Sequence, residues 1–425
     1  MRDNGRVLGI ESRSEMTQQL LAPGLVLNAD ILDRFKSDPA WLRARRAEGW
    51  QAYQAMDFPD EGDEEWRRTD VRGLPLDGIG PVRLDVTRSG GGTGVTVEEL
   101  AASQYAELSE RLNSIVPADE WKYLALNAAL WSNGTLVRVA DDAEVGAPVH
   151  LVQSAAAEGA VFPRTLVVVG RNARLTLIDE TQSAEGARGF ASGAVELVLG
   201  DGAKVEYYNI NRWGDGVYNF NTVRAVLGRD AELTVMAAGI GSKLTKMRID
   251  AMMPQPGART QILGVTFGNG EQHFDYNTRQ EHTGDHTISD LQFKSALTDS
   301  ASLVWYGVTR INPTAGGSEA NQTSRNLLLS EQAKAAPIPI LEIEAWDVSK
   351  CSHGATAGPV EEGELFYLQS RAIPKPVAEQ MLVEGFFADV IDRVPNAEVR
   401  ARVMGAVLDK MGASIDRVTV EEVLG

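Results

Sequence analysis

The chain has 425 residues, with 41 Lys and Arg against 59 Asp and Glu, a net charge of −18 and a single cysteine. That charge argues against a nucleic-acid or anionic-membrane partner, one cysteine permits no internal disulfide, and the length suffices for two or three domains or one elongated domain with appendages. No apolar run reaches the length of a membrane span; residues 1–20 set Arg2, Arg6 and Arg13 beside Asp3, Glu11 and Glu15 and lack the apolar centre of a secretion signal, so a cytoplasmic location is expected.

Residues 1–132 read as a mainly helical, partly irregular region. Helix-period apolar positions run through 29–35 and 39–56, the second with Trp41, Leu42, Trp50, Tyr53 and Met56, Asp38 as N-cap and Pro39 at the first helical position. An acidic turn, 60–65, leads into Trp66-Arg67-Arg68. The run Ser89-Gly90-Gly91-Gly92-Thr93-Gly94 lacks the lysine and spacing of a phosphate-binding loop and reads as a linker. Two more helices are predicted over 98–112 and 118–131.

From about Gly134 the apolar period becomes two, as in Leu166–Val169, Leu175–Ile178 and Val195–Leu199, and the segments are rich in β-branched residues. They also repeat. An apolar strand, a Gly/Asp turn, an alanine, one polar residue and a new strand recur as Gly170-Arg171-Asn172-Ala173, Gly200-Asp201-Gly202-Ala203 and Gly228-Arg229-Asp230-Ala231, and the alanines at 143, 173, 203, 231 and 258 are spaced by 30, 30, 28 and 27 residues. A fixed period of this size marks a solenoid. Units with strands and tight turns, and no room for a helix, predict a right-handed parallel β-helix core over 133–348, with the alanines facing inward at a corner. The helical N-terminal part could cover one end, leaving the other for pairing with a second solenoid. The longer gap before Ala301 predicts an interruption near 264–293, a stretch that also holds His273, His282 and His286 among carboxylates in no known metal-ligand spacing.

Lys350-Cys351-Ser352-His353-Gly354-Ala355-Thr356 opens the predicted C-terminal region, 349–425. Thiolate and imidazole are the ligands that iron–sulfur clusters and borderline metals prefer. One of each cannot close a site, so a group held by Cys351 and His353 must be shared with another chain or held transiently; in an extended strand the two would face one partner together. The alternative is a lone cysteine packed as a small apolar residue. Beyond the motif, helices are predicted over 361–371, 375–394 and 396–410, the second striped by Val377, Met381, Leu382, Phe386 and Val390, the third capped by Asn396. They could pack on themselves, or expose an apolar groove for a partner.

The run Asn326-Leu327-Leu328-Leu329-Ser330, then Pro339-Ile340-Leu341-Glu342-Ile343, the Cys-Ser-His-Gly-Ala-Thr motif and Leu365-Phe366-Tyr367-Leu368 together resemble the C-terminal signature of the SufB/SufD family, and the single cysteine is similar to its SufD branch. Pro359 after the motif departs from the family pattern. The resemblance implies a non-catalytic scaffold subunit of a SufBCD-type iron–sulfur cluster assembly complex. It would pair with a SufB-like chain through β-helix cores and bind a SufC-like ATPase through its C-terminal helices, at Phe366, Met381, Leu382, Phe386, Phe387 and Val390. A nascent iron–sulfur cluster would be held transiently at the SufB-like interface by His353 with Cys351 beside it; no ATP is expected on this chain, and reduced flavin in the complex is left open. Two rival readings are a self-associating iron-binding scaffold, which would form clusters without a partner, and a carbohydrate-active β-helix enzyme, which would act on oligosaccharides.

Overall fold

The computed structural model describes residues 29–60, 62–71, 74, 80–155, 158–184 and 186–412; the first 28, where no secretion signal is expected, lie outside them. The period-two segments form two sheets wound face to face along one axis. Sheet I has nine strands, from Leu84–Gly90 to Lys350–Pro359, and sheet II has ten, nine on a path from Val95–Glu99 to Lys334–Ile343 and Gly159–Val161 off it. From Arg164–Val169 onward successive strands of the chain alternate between the sheets, so each neighbour in a sheet is one turn of the solenoid away. Pairing is parallel throughout except at the first strand of each sheet.

The repeat predicted from sequence is the corner of this solenoid. Ala173, Ala203, Ala231 and Ala258 are fully buried and line the core between the sheets. The residue before each has a left-handed backbone, Asn172 at φ 54°, Gly202 at 67°, Asp230 at 53° and Gly257 at 72°. At 257 a Cβ would stand 2.0 Å from Asp230 Oδ1, so any other residue there would have to displace that carboxylate. The predicted interruption does not occur. Strands Arg259–Gly268, His273–His282 and Ile288–Leu297 continue both sheets in register, and the corner position passes from Ala258 to Thr287, Ser318 and Ser349, the residues that precede the next three strands of sheet I. A small hydroxyl residue replaces alanine there.

In the N-terminal region, α1 (Ala40–Ala55), α2 (Leu108–Arg111) and α3 (Lys122–Leu130) pack over the outer face of sheet II. Leu42, Trp50, Trp66, Tyr123 and Leu126 share one core with Phe190 and Phe220 of that sheet. The helix expected over 98–112 is mostly absent. Val95–Glu99 is instead a strand, antiparallel to Thr135–Val139, and the Leu100 amide bonds to Gly134 O at 2.8 Å, so these backbone groups find partners in the sheet. Strands Leu84–Gly90 and Val95–Glu99, not helices, thus cover the first turn. Asp38 does not cap α1; its carboxylate pairs with Arg46 Nε at 2.7 Å.

The C-terminal region differs from expectation at its start. Residues 350–359 are the last strand of sheet I, paired along its length with Glu319–Leu328, and helices begin only with α4 (Glu362–Ser370), followed by α5 (Lys375–Ile391) and α6 (Ala397–Lys410). The predicted cap of α6 is present, Asn396 Oδ1 accepting the Val399 amide at 3.1 Å. On the outer face of sheet I, Val383, Phe387, Val390, Val399, Val403 and Val407 are buried against Ile210, Met236, Leu263, Val265 and Phe267. Among the described residues no helix is long and apolar enough to cross a membrane.

Candidate functional site

The two sheets end in an open turn. Lys334–Ile343 and Lys350–Pro359 are the edge strands of sheets II and I at this end, each paired on one side only among the described residues. Their side chains stay half-buried or exposed where earlier turns bury the same register positions. The linker between them carries Trp346, fully exposed, beside Ile343 at 47% exposure.

Cys351 and His353 lie on this last strand. Register pairs them with Ala320 and Gln322, both buried and inward-facing, so thiol and imidazole share the inner face by the period of two. Cys351 is half-buried and packs with Ile311, Ala315 and Ala320, and burial pushes its thiol up from the ordinary value. His353 is exposed, because no further turn stacks on it. Among the described residues no three His, Cys, Asp or Glu side chains are grouped to hold a metal.

Of the residues expected at an ATPase surface, Phe366 is 71% exposed on α4, whose neighbour Tyr367 is 56% exposed and none of whose residues is buried. Met381 and Leu382 are half-buried, Leu382 in a shallow groove with Tyr367 and Leu368. Phe386 is half-buried under the Lys294 ammonium, 4.5 Å from its ring centroid. Phe387 and Val390 sit elsewhere: both are fully buried against sheet I and unavailable to another chain.

His273 and His282 are held as parts of the fold. His273 lies between Thr69 Oγ1 at 3.0 Å and Ser302 Oγ at 2.8 Å. His286 occupies a left-handed turn at φ 53°. His282 is fully buried inside the solenoid, its Nδ1 2.8 Å from Thr287 Oγ1 and its Nε2 2.8 Å from Ser289 Oγ, and burial pushes it down to about 4. The unfolded chain takes this proton near 6.5, the folded chain only near 4, so the stability of the neutral ring is complete above pH 6.5 and is lost as pH falls towards 4. The loss is about 3 kcal/mol. Denaturant unfolding between pH 7.5 and 4 should show this fall in the wild type and a flatter profile in His282→Gln; parallel profiles would refute it.

A residue set that motif reading missed joins the helices to this strand. Asp290, Asn321 and Ser352 form one register column across the outer face of sheet I. Asn321 Nδ2 donates to Asp290 Oδ1 at 2.7 Å and Ser352 Oγ to Asn321 Oδ1 at 2.8 Å. The signal was the 31-residue separation of all three.

The structure is thus a β-solenoid covered at its first turn and open at its last, with a thiol and an imidazole on the open turn. Comparison places it in a family. The family model described as "SUF system FeS cluster assembly, SufBD core domain" matches residues 151–386, more than half of the chain. Similar proteins include the iron–sulfur cluster assembly SufBD family proteins of Mycobacterium tuberculosis, 29% identical over 367 residues with 83% of this chain and 89% of the relative covered, and of Mycobacterium leprae, 26% identical over 380 residues with 86% and 93% covered. The iron–sulfur cluster assembly protein SufD of Bacillus subtilis is 28% identical over 338 residues, covering 78% and 77%. The chain belongs to the SufBD family of iron–sulfur cluster assembly proteins and is SufD-like.

Proposed function

We propose that this chain is the non-catalytic SufD-type subunit of a SufBCD-type complex, in which its open turn pairs with a SufB-like chain and its C-terminal helices bind a SufC-like ATPase. The nascent iron–sulfur cluster is cargo, held at the shared interface by His353 with Cys351 beside it. One observation carries the reading: the last turn leaves two strand edges, an exposed Trp346 and both candidate ligands at one end of the solenoid. Unpaired strand edges with apolar neighbours invite strand addition by another sheet, and a two-ligand half-site needs a second half. Phe366 and Tyr367 on α4 supply the exposed apolar contact suited to the ATPase.

Native mass spectrometry of the tagged chain from its own host tests the assembly; the expected species holds one SufB-like chain and two ATPase chains, and a bare homodimer would overturn it. In the assembled complex, His353→Ala should lower cluster yield several-fold without changing subunit stoichiometry, since the exposed ring packs against little. Equal yield, read from the cluster's visible absorbance, would remove His353 from the site.

A further inference from the structure

The strand that bears Cys351 and His353 is tied to the helical unit by side chains on its opposite face. Ser352 lies between the two ligands, so by the period of two its hydroxyl emerges on the outer face of sheet I, where α5 and α6 pack. From Ser352 the contacts run without a gap. Ser352 Oγ donates to Asn321 Oδ1 at 2.8 Å, and Asn321 Nδ2 donates to Asp290 Oδ1 at 2.7 Å. Asp290 Oδ2 then receives the Arg393 guanidinium, which also donates to Gln292 Oε1 at 2.8 Å. Arg393 follows α5 directly. Gln292 donates in turn to Asp389 on α5 at 3.1 Å, and Lys294 of the same strand donates to Phe386 O at 2.6 Å.

We propose that Asp290, Asn321 and Ser352 are positioning residues that couple the seating of α5, through Arg393, to the placement of Cys351 and His353. This rests on the proposed role of those two ligands, and supplies a physical route from the ATPase-binding region to them. Three features make the route effective. The last strand has a neighbour on one side only, so each side-chain tie is a large share of what holds it. The relay ends on a charged pair, whose hydrogen bonds are stronger than neutral ones. And a pull on Ser352 from the outer face changes how deeply the adjacent inward residues sit, Cys351 against Ile311, Ala315 and Ala320 above all.

The test uses the full chain alone, so it is independent of partner or cluster. Arg393→Met and Asp290→Asn should each raise amide exchange over 350–359, and the rate of Cys351 alkylation by iodoacetamide, by roughly fivefold, the loss of one to two such bonds. Ser352→Ala, which disturbs no packing among the helices, should raise both to a similar extent. Arg402→Met is the control: Arg402 ties α6 to Glu180 at 3.3 Å, far from the relay, and should leave residues 350–359 unchanged. Unchanged exchange and alkylation in the three relay variants, or an equal rise in Arg402→Met, would overturn the proposal. If the relay variants behave as expected while the complex forms no cluster at His353, the coupling stands and the functional reading falls.

Discussion

Replacing Glu196 with Ala is expected to destabilise the protein by about 3–5 kcal/mol, the cost of leaving a buried charge without its partner. Glu196 and Arg164 are both about 1% exposed or less and form an ion pair under the N-terminal region. The carboxylate also accepts the backbone amides of Asn113, Ile115 and Val116, at 2.9, 3.1 and 3.3 Å. Arg164 in turn reaches Asn113 Oδ1 at 2.6 Å and Asn127 Oδ1 at 3.2 Å. One side chain on the outer face of sheet II thus organises the whole connection from α2 to α3. Its loss leaves a buried guanidinium without its counter-charge and three amides without their acceptor. Denaturant unfolding of Glu196→Ala measures the loss; a change under 1 kcal/mol would mean that water enters and replaces the carboxylate.

The second large effect separates two roles within the C-terminal helices. Phe387→Ala should cost about 3–5 kcal/mol, as large-to-small changes in a packed core do, because its ring is fully buried between α5 and the outer face of sheet I. Phe366→Ser, on a side chain 71% exposed, should change stability by less than about 1 kcal/mol yet weaken binding of the ATPase. The contrast, read by unfolding and by pull-down of the ATPase, assigns one apolar set to holding the helices and the other to the partner. Cutting the chain after Ile373 cannot make this distinction, since it strips the cover from Leu263, Val265 and Phe267 while leaving Phe366 on the chain. Equal stability loss in the two point variants would contradict the assignment.

The solenoid was legible because its information is periodic. Alternation in Val195–Leu199 and the small corner residues at Ala173, Ala203 and Ala231 each repeat a local rule of the fold. The reading failed where the rule was kept by a different residue. Thr287, Ser318 and Ser349 occupy the corner that alanine occupies earlier, and a search for alanine alone saw a break there. Around Leu100, Leu108 and Leu112, helix-like apolar spacing reflects burial in a segment that is helical only in short pieces, the Leu100 amide bonding to Gly134 O outside it, which local pattern cannot reveal. At the candidate site, the types and spacing of Cys351 and His353 were visible, and so was the need for a second half. What could not be read was which face of α5 turns inward. Its apolar stripe is broad, and only the sheet beneath it separates Phe387 and Val390 from Met381 and Leu382. Asp290, Asn321 and Ser352 looked like scattered surface polar residues until the winding of the chain set them side by side.

A parallel solenoid is also a ruler. Its strands stand about 4.8 Å apart, and α5 rests on Arg259–Gly268 and Ile288–Leu297, three and two strands before Lys350–Pro359. The helical unit and the open turn are therefore held about 10–14 Å apart by a whole number of windings. Adding or removing one winding of about 30 residues would keep every corner, every register and both surfaces, and would shift only the distance between them, by one graduation. In the complex proposed above, where the two surfaces meet different partners at once, that integer fixes the dimensions of the assembly as firmly as any side chain fixes its chemistry.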